Sequence, residues 1–202
     1  MKDFLIKHNL PLMTLLGVGV ALSVLLNWSA MPVMQRLVGL YFLGVVLHLW
    51  EEGRFPGGFT HMITRKLNFT QINPHFGEIV TDVLVLLTVF LPFFFPHVPF
   101  MLMIPMLLGF VEAFAHLAAI RMFDLKRPYS PGLVTALFVL LPMSIYGLTY
   151  ASRRDLMTPL SWLYTALTLF AGLLIAQRLV VNTSGMSYRE FLGRVRGALL
   201  GR

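Results

Sequence analysis

Apolar positions come in long runs broken by short polar stretches, and six of these runs are long enough to cross a bilayer. They lie at roughly 11–29, 33–52, 76–95, 98–122, 131–150 and 159–181. The links at 30–32 and 96–97 are short, which predicts tight helical hairpins between spans 1 and 2 and between spans 3 and 4. Residues 53–74 are polar enough to leave the bilayer. "PGG" at 56–58 signals a turn, and "FTHMITRKLNF" after it reads as a short surface helix. In the tail, Ser187 and Glu190 stand at capping-box spacing. Tyr188, Phe191, Leu192, Val195 and Leu199 then recur on one helical face, flanked by arginines. This predicts an amphipathic helix lying on an anionic membrane surface. The fold class is all-α: a polytopic six-span domain over 1–186, followed by a basic amphipathic helix over 187–202.

Composition agrees with this class. The chain is 57% hydrophobic and only 12% charged, with a mean hydropathy of +0.76; a soluble domain carries about 25% charge. The absence of cysteine excludes disulfides, thiolate metal sites and cysteine nucleophiles. The net charge of +7 points to membrane topology rather than nucleic acid. With six spans, thirteen Lys and Arg fall on the side of the termini and three (Arg36, Arg153 and Arg154) on the other. Both termini are therefore expected in the cytoplasm. Lys2, Lys7 and the apolar stretch from Pro11 to Leu26 imitate a signal peptide. Trp28, two positions before Ala30, spoils the cleavage pattern, so an uncut first helix is expected.

The acidic residues change the picture from membrane protein to membrane protein with a polar centre. Five of the nine lie in or at the ends of spans: Glu51, Glu52, Glu78, Asp82 and Glu112. His48, His75 and His116 accompany them. His48 with Glu51 or Glu52, His75 with Glu78 and Asp82, and Glu112 with His116 each recur at helical spacing, so each set shares a helix face. The topology puts all eight at one depth, near the side of the termini. His75, after Asn73 and Pro74, also reads as a helix start, where Glu78 is favoured by the helix dipole.

A carboxylate at bilayer depth costs about 2.5–3.5 kcal/mol, and several together repel. Protons, cationic side chains or a metal must compensate them. Imidazoles mixed with carboxylates suit one or two divalent ions of Zn, Fe or Mn. The expected ligands are His48, Glu52, His75, Glu78, Glu112 and His116. Glu51 and Asp82 are then the carboxylates for acid–base catalysis.

"HLWEE" (His48, Glu51, Glu52) resembles the signature of the HXXEE family of bacterial integral membrane proteins. "EAFAH" (Glu112, His116) and "RPYSPGLVT" (Tyr129, Pro131, Gly132) are similar to its later motifs. The resemblance implies a multi-span helical protein with a metal site. The expected function is a metal-dependent enzyme hydrolysing or otherwise modifying a lipid or other hydrophobic small molecule. An oxygen-activating centre for hydroxylation or desaturation, and a proton- or cation-coupled transporter, use the same residue types.

Overall fold

The structure, a computed structural model, describes residues 8–68 and 75–200, and every regular element among them is helical. Six helices have the length and hydropathy of membrane spans. They are α1 (Asn9–Leu26), α2 (Val33–Gly53), α4 (Phe76–Phe94), α5 (Pro99–Met122), α6 (Leu133–Arg153) and α7 (Pro159–Thr183). Two shorter helices join them: α3 (Phe59–Lys66) after α2, and α8 (Tyr188–Leu199) at the end. The chain is a multi-pass membrane protein. The expected Asn73–Pro74 helix start lies outside the described residues.

Helices α2 and α5 form the centre. In the most apolar window of α2, 61% of residues are buried inside the bundle, against 11% for α7, whose Leu167, Phe170 and Ile175 face outward. Lipid solvates those side chains as well as protein does, so packing rather than burial from water selects the contacts between spans. Gly109 of α5 is one such contact. A Cβ there would stand 2.2 Å from Ser144 Oγ and 2.8 Å from Tyr41 Oη, so only a bare backbone lets α2, α5 and α6 meet.

Prolines explain the irregular turns. Pro92 and Pro142 lack an N–H and crowd the carbonyl four residues back. Widened π-helical turns at Leu86–Phe90 and Ala136–Leu140 cover the residues each proline would crowd. At the end of α4, Gln35 Nε2 donates to the carbonyl of Phe93 at 3.0 Å, which occupies an acceptor the helix cannot fill itself.

With an even number of spans, both ends of the bundle chain emerge on one face, where α3 and α8 also lie. Ser187 caps α8 by accepting from the Glu190 N–H at 3.2 Å. The reciprocal half of the capping box is not made, because the Glu190 carboxylate binds Arg194 Nη2 at 2.6 Å instead. Phe191 is buried against Leu67 and Val181. Arg194 donates to the carbonyls of Leu67, at 2.6 Å, and of Asn68, acceptors just past the C-terminus of α3. Leu192 and Leu199 stay exposed. The apolar stripe of α8 is thus divided between the protein and its surroundings. Deleting 187–202 is expected to leave the six-span bundle folded but to loosen α3. Trypsin cleavage after Arg65 and Lys66 should accelerate; an unchanged rate would show that α8 does not restrain α3.

Candidate metal centre

His48 and Glu52 occupy the last two turns of α2, one turn apart on one face. Glu112 and His116 repeat that spacing near the end of α5. The crossing of α2 and α5 brings the four together. Glu52 Oε1 lies 3.8 Å from His48 Nε2 and 3.3 Å from His116 Nε2. Glu112 Oε2 lies 3.8 Å and 3.9 Å from the same two nitrogens. One atom each from His48, Glu52 and His116 lie within 4.8 Å of one another, and among the described residues no other such group exists. The two imidazoles meet edge to face, with ring centroids 5.0 Å apart, and Phe59 of α3 packs on the His116 ring at 4.8 Å.

The far sides of both rings decide what Nε2 can do. Ser130 gives its only hydroxyl proton to the His116 carbonyl, at 3.0 Å. Its oxygen, 3.2 Å from His116 Nδ1, must therefore accept from an Nδ1–H. Thr135 Oγ1 lies 2.9 Å from His48 Nδ1. Its own proton faces only acceptors, the Glu51 carboxylate at 2.6 Å and the Gly132 carbonyl at 3.2 Å, so it too accepts from Nδ1–H. Both rings thus carry a proton on Nδ1, and both turn Nε2 toward the carboxylates. His116 is fully buried, and its Nε2 has no hydrogen-bond partner.

These nitrogens and oxygens fit a bound ion. Charge-assisted N–H···O bonds are shorter, about 2.7–2.9 Å. Two ligands each about 2.0–2.1 Å from a tetrahedral ion sit about 3.3 Å apart, the spacing of His116 Nε2 and Glu52 Oε1; the other three pairs, at 3.8–3.9 Å, are wider than that edge. Space is reserved as well. Gly132, at φ +97°, presents bare backbone to the centre; a Cβ there would lie 2.4 Å from His116 Cε1, 2.7 Å from its Nε2 and 2.8 Å from Glu52 Cγ. Imidazole nitrogens oriented by hydroxyls, with carboxylate oxygens beside them, are the donor set for Zn, Fe or Mn.

Glu51, adjacent to Glu52, points elsewhere, as side chains about 100° apart on a helix must. Its carboxylate sits on the N-terminus of α6, accepting from Val134 N at 3.2 Å, Thr135 N at 2.8 Å, Thr135 Oγ1 at 2.6 Å and Tyr129 Oη at 2.9 Å. It serves as a helix cap supplied by another span. Burial and then the Glu51 carboxylate push the Tyr129 phenol from 10.0 up to about 12. An unfolded tyrosine ionises near pH 10 while the folded one keeps its proton to about 12. The stabilisation is therefore full below pH 10 and lost as pH rises from 10 to 12. Tyr129→Phe should flatten that alkaline loss in thermal melts; an unchanged profile would separate Tyr129 from Glu51.

The remaining expected ligands, His75 and Glu78, and the expected acid–base carboxylate Asp82 lie apart from these four. His75 is exposed, with Nδ1 3.2 Å from Glu78 Oε2. Glu78 and Asp82 line a separate pocket of about 50 Å³ that touches the centre only through Glu52. The sequence marks Ser130, Gly132 and Thr135 only through the "RPYSPGLVT" string, which supplies the hydroxyls and the bare backbone.

Residues 37–147 match a family model described as a protein of unknown function with HXXEE motif. The chain belongs to the HXXEE family. No match was found among curated proteins or among solved structures. The matched region runs from α2 into α6, so all four convergent side chains and both orienting hydroxyls lie inside it. Within the HXXEE motif the histidine and second glutamate face the centre, and the first glutamate caps α6.

Proposed function

We propose that this protein is a metal-dependent integral membrane enzyme that hydrolyses or otherwise modifies a lipid or similarly hydrophobic substrate at the cytoplasmic side. The observation that carries the reading is the pair of imidazoles held by Ser130 and Thr135 with both Nε2 atoms turned toward Glu52 and Glu112. His48, Glu52 and His116 would hold the ion. A divalent ion there supplies Lewis acidity and lowers the pKa of water. Glu112, within 4 Å of both imidazoles, would take a proton from an attacking water. Phe55, Phe114 and Leu117 are exposed on the same stretches of chain that carry the site residues, apolar surface that lipid can cover. The thirteen-to-three distribution of Lys and Arg supports a cytoplasmic location for this face.

Elemental analysis of the detergent-purified protein should find about one Zn, Fe or Mn per chain, the count a mononuclear site takes. His48→Ala and His116→Ala should each empty the site, and Glu112→Gln should abolish product release from mixed-lipid vesicles. Metal-free wild-type protein that still turns over lipid would overturn the reading. Reporter fusions at the termini test the orientation, and a periplasmic signal from either end would reverse it.

A further inference from the structure

Helix α3 has no buried residue of its own, yet it reaches from the centre to α8. It starts after Gly57 and Gly58, at φ +75° and +92°, a backbone region that a residue with a Cβ rarely adopts. Phe59, Ile63 and Leu67 follow at four-residue spacing and share one face. Phe59 packs on the His116 ring at 4.8 Å. Ile63 and Leu67 belong to the apolar cluster around Phe191 of α8. One short helix therefore has the centre at its first turn and α8 just past its last.

The α8 end is a clamp of few parts. Arg194 donates to the Leu67 carbonyl at 2.6 Å and to that of Asn68, and its guanidinium also suits the negative end of the α3 dipole. Lys66 pairs with Asp124 at 2.5 Å at the exposed surface. An exposed pair contributes little, so α8 supplies most of the restraint on this end.

The outer stripe of α8 runs one residue later than its inner stripe, about 100° round the helix. Tyr188, Phe191, Val195 and Ala198 pack on the protein, while Arg189, Leu192, Arg196 and Leu199 are exposed. The one acid of α8, Glu190, is held by Arg194 at 2.6 Å, so among the described residues Arg189 and Arg196 have no acidic partner. Two cations alternating with two exposed leucines fit a surface that is negative and apolar at once, an anionic headgroup layer over acyl chains. An acidic protein surface would use the arginines and leave the leucines in water. Only residues 184–187 separate α8 from the end of the α7 span, which keeps it at the membrane boundary.

We propose that α3 is a lid on the centre, and that α8 latches it shut when its outer stripe docks on an anionic membrane surface. Docking fixes α8, and a fixed α8 holds Arg194 and Phe191 against the end of α3. Undocked, α8 frees that end, and α3 swings on Gly57 and Gly58. What the lid regulates rests on the metal-enzyme reading; the latch does not.

The test uses the purified full-length protein in nanodiscs of phosphatidylcholine alone and of an equal mixture with phosphatidylglycerol. Hydrogen exchange of residues 59–66 is the readout. Exchange should be about tenfold slower in the anionic discs, and high salt should erase the difference. Arg189→Gln combined with Arg196→Gln should exchange at the faster rate in both discs. Arg194→Gln should do the same while α8 itself stays protected by anionic lipid, which separates the latch from the docking. His48→Ala should lose its ion yet keep the lipid dependence of α3, so failure of the metal reading and failure of this one give different results. In that ion-free variant, diethyl pyrocarbonate should modify His116 more slowly in the anionic discs. Equal α3 exchange in both discs, or a lipid dependence that survives both sets of arginine substitutions, would overturn the proposal. So would equal modification of His116, which marks a latch that covers nothing, or protection that rises with protein concentration alone, which marks α8 as a contact between copies.

Discussion

Replacing Glu51 by alanine is expected to lower the unfolding midpoint by roughly 10 °C, the largest stability effect of any single carboxylate in this chain. Four donors converge on Glu51: two backbone N–H groups at the start of α6, the Thr135 hydroxyl and the Tyr129 phenol. Each buried donor left without an acceptor costs about 1–3 kcal/mol, and water can reach the half-buried Tyr129, so the sum is about 3–5 kcal/mol. In a chain of this size each kcal/mol moves Tm by about 2–4 °C. Glu51→Gln keeps one acceptor oxygen and should show a smaller loss. The damage should also reach the centre, because Thr135 would be free to turn its proton toward His48 and release the tautomer. If Glu51→Ala melts like wild type while activity vanishes, Glu51 is a catalytic group and not a cap.

The second large effect is expected at Gly132. An alanine there meets two penalties. A φ of +97° is strained for any residue with a Cβ, by about 1–2 kcal/mol. The new methyl would also stand 2.4 Å from His116 Cε1, where overpacking costs about 1–3 kcal/mol. Relief requires His116 or Glu52 to move, and a displaced ligand should lower metal affinity by about 100-fold. Elemental analysis with thermal melts would check both halves. Wild-type metal content in Gly132→Ala would show that the space beside His116 is not the metal's. The effects of Glu51→Ala and Gly132→Ala should not add, since both disturb the first turn of α6.

Periodicity located the six spans to within a few residues because hydropathy over a bilayer-length window is a one-dimensional property. The short helix at α3 and the Ser187 cap of α8 were legible for the same reason: each depends on neighbours in the chain. His48, Glu52, Glu112 and His116 were legible as a group because helical spacing fixes a face and topology fixes a depth. What these two coordinates leave open is rotation about each helix axis. Glu78 and Asp82 match the others in spacing and depth, yet α4 turns them toward Asn9 on α1. Glu51 differs from Glu52 by one position, and that position decides between capping α6 and facing the two imidazoles. Ser130 and Thr135 were not legible as ring partners, because their contacts with His116 and His48 join residues 14 and 87 positions apart.

The widened turn at Ala136–Leu140 sets the facing of α6. Thr135 orients His48, and Ser144, nine positions later, is fully buried at Gly109. At about 100° per residue, nine positions of unbroken α-helix would set these side chains on opposite faces, one inward and one toward lipid. A π turn takes up one additional residue, which brings the pair to within about 80° and lets both face the interior. Seen as heredity, that turn has the form of a single inserted codon retained in a membrane span. Removing one residue from 136–140 should restore a regular helix and still leave Ser144 facing the interior, because eight regular positions also set it about 80° from Thr135.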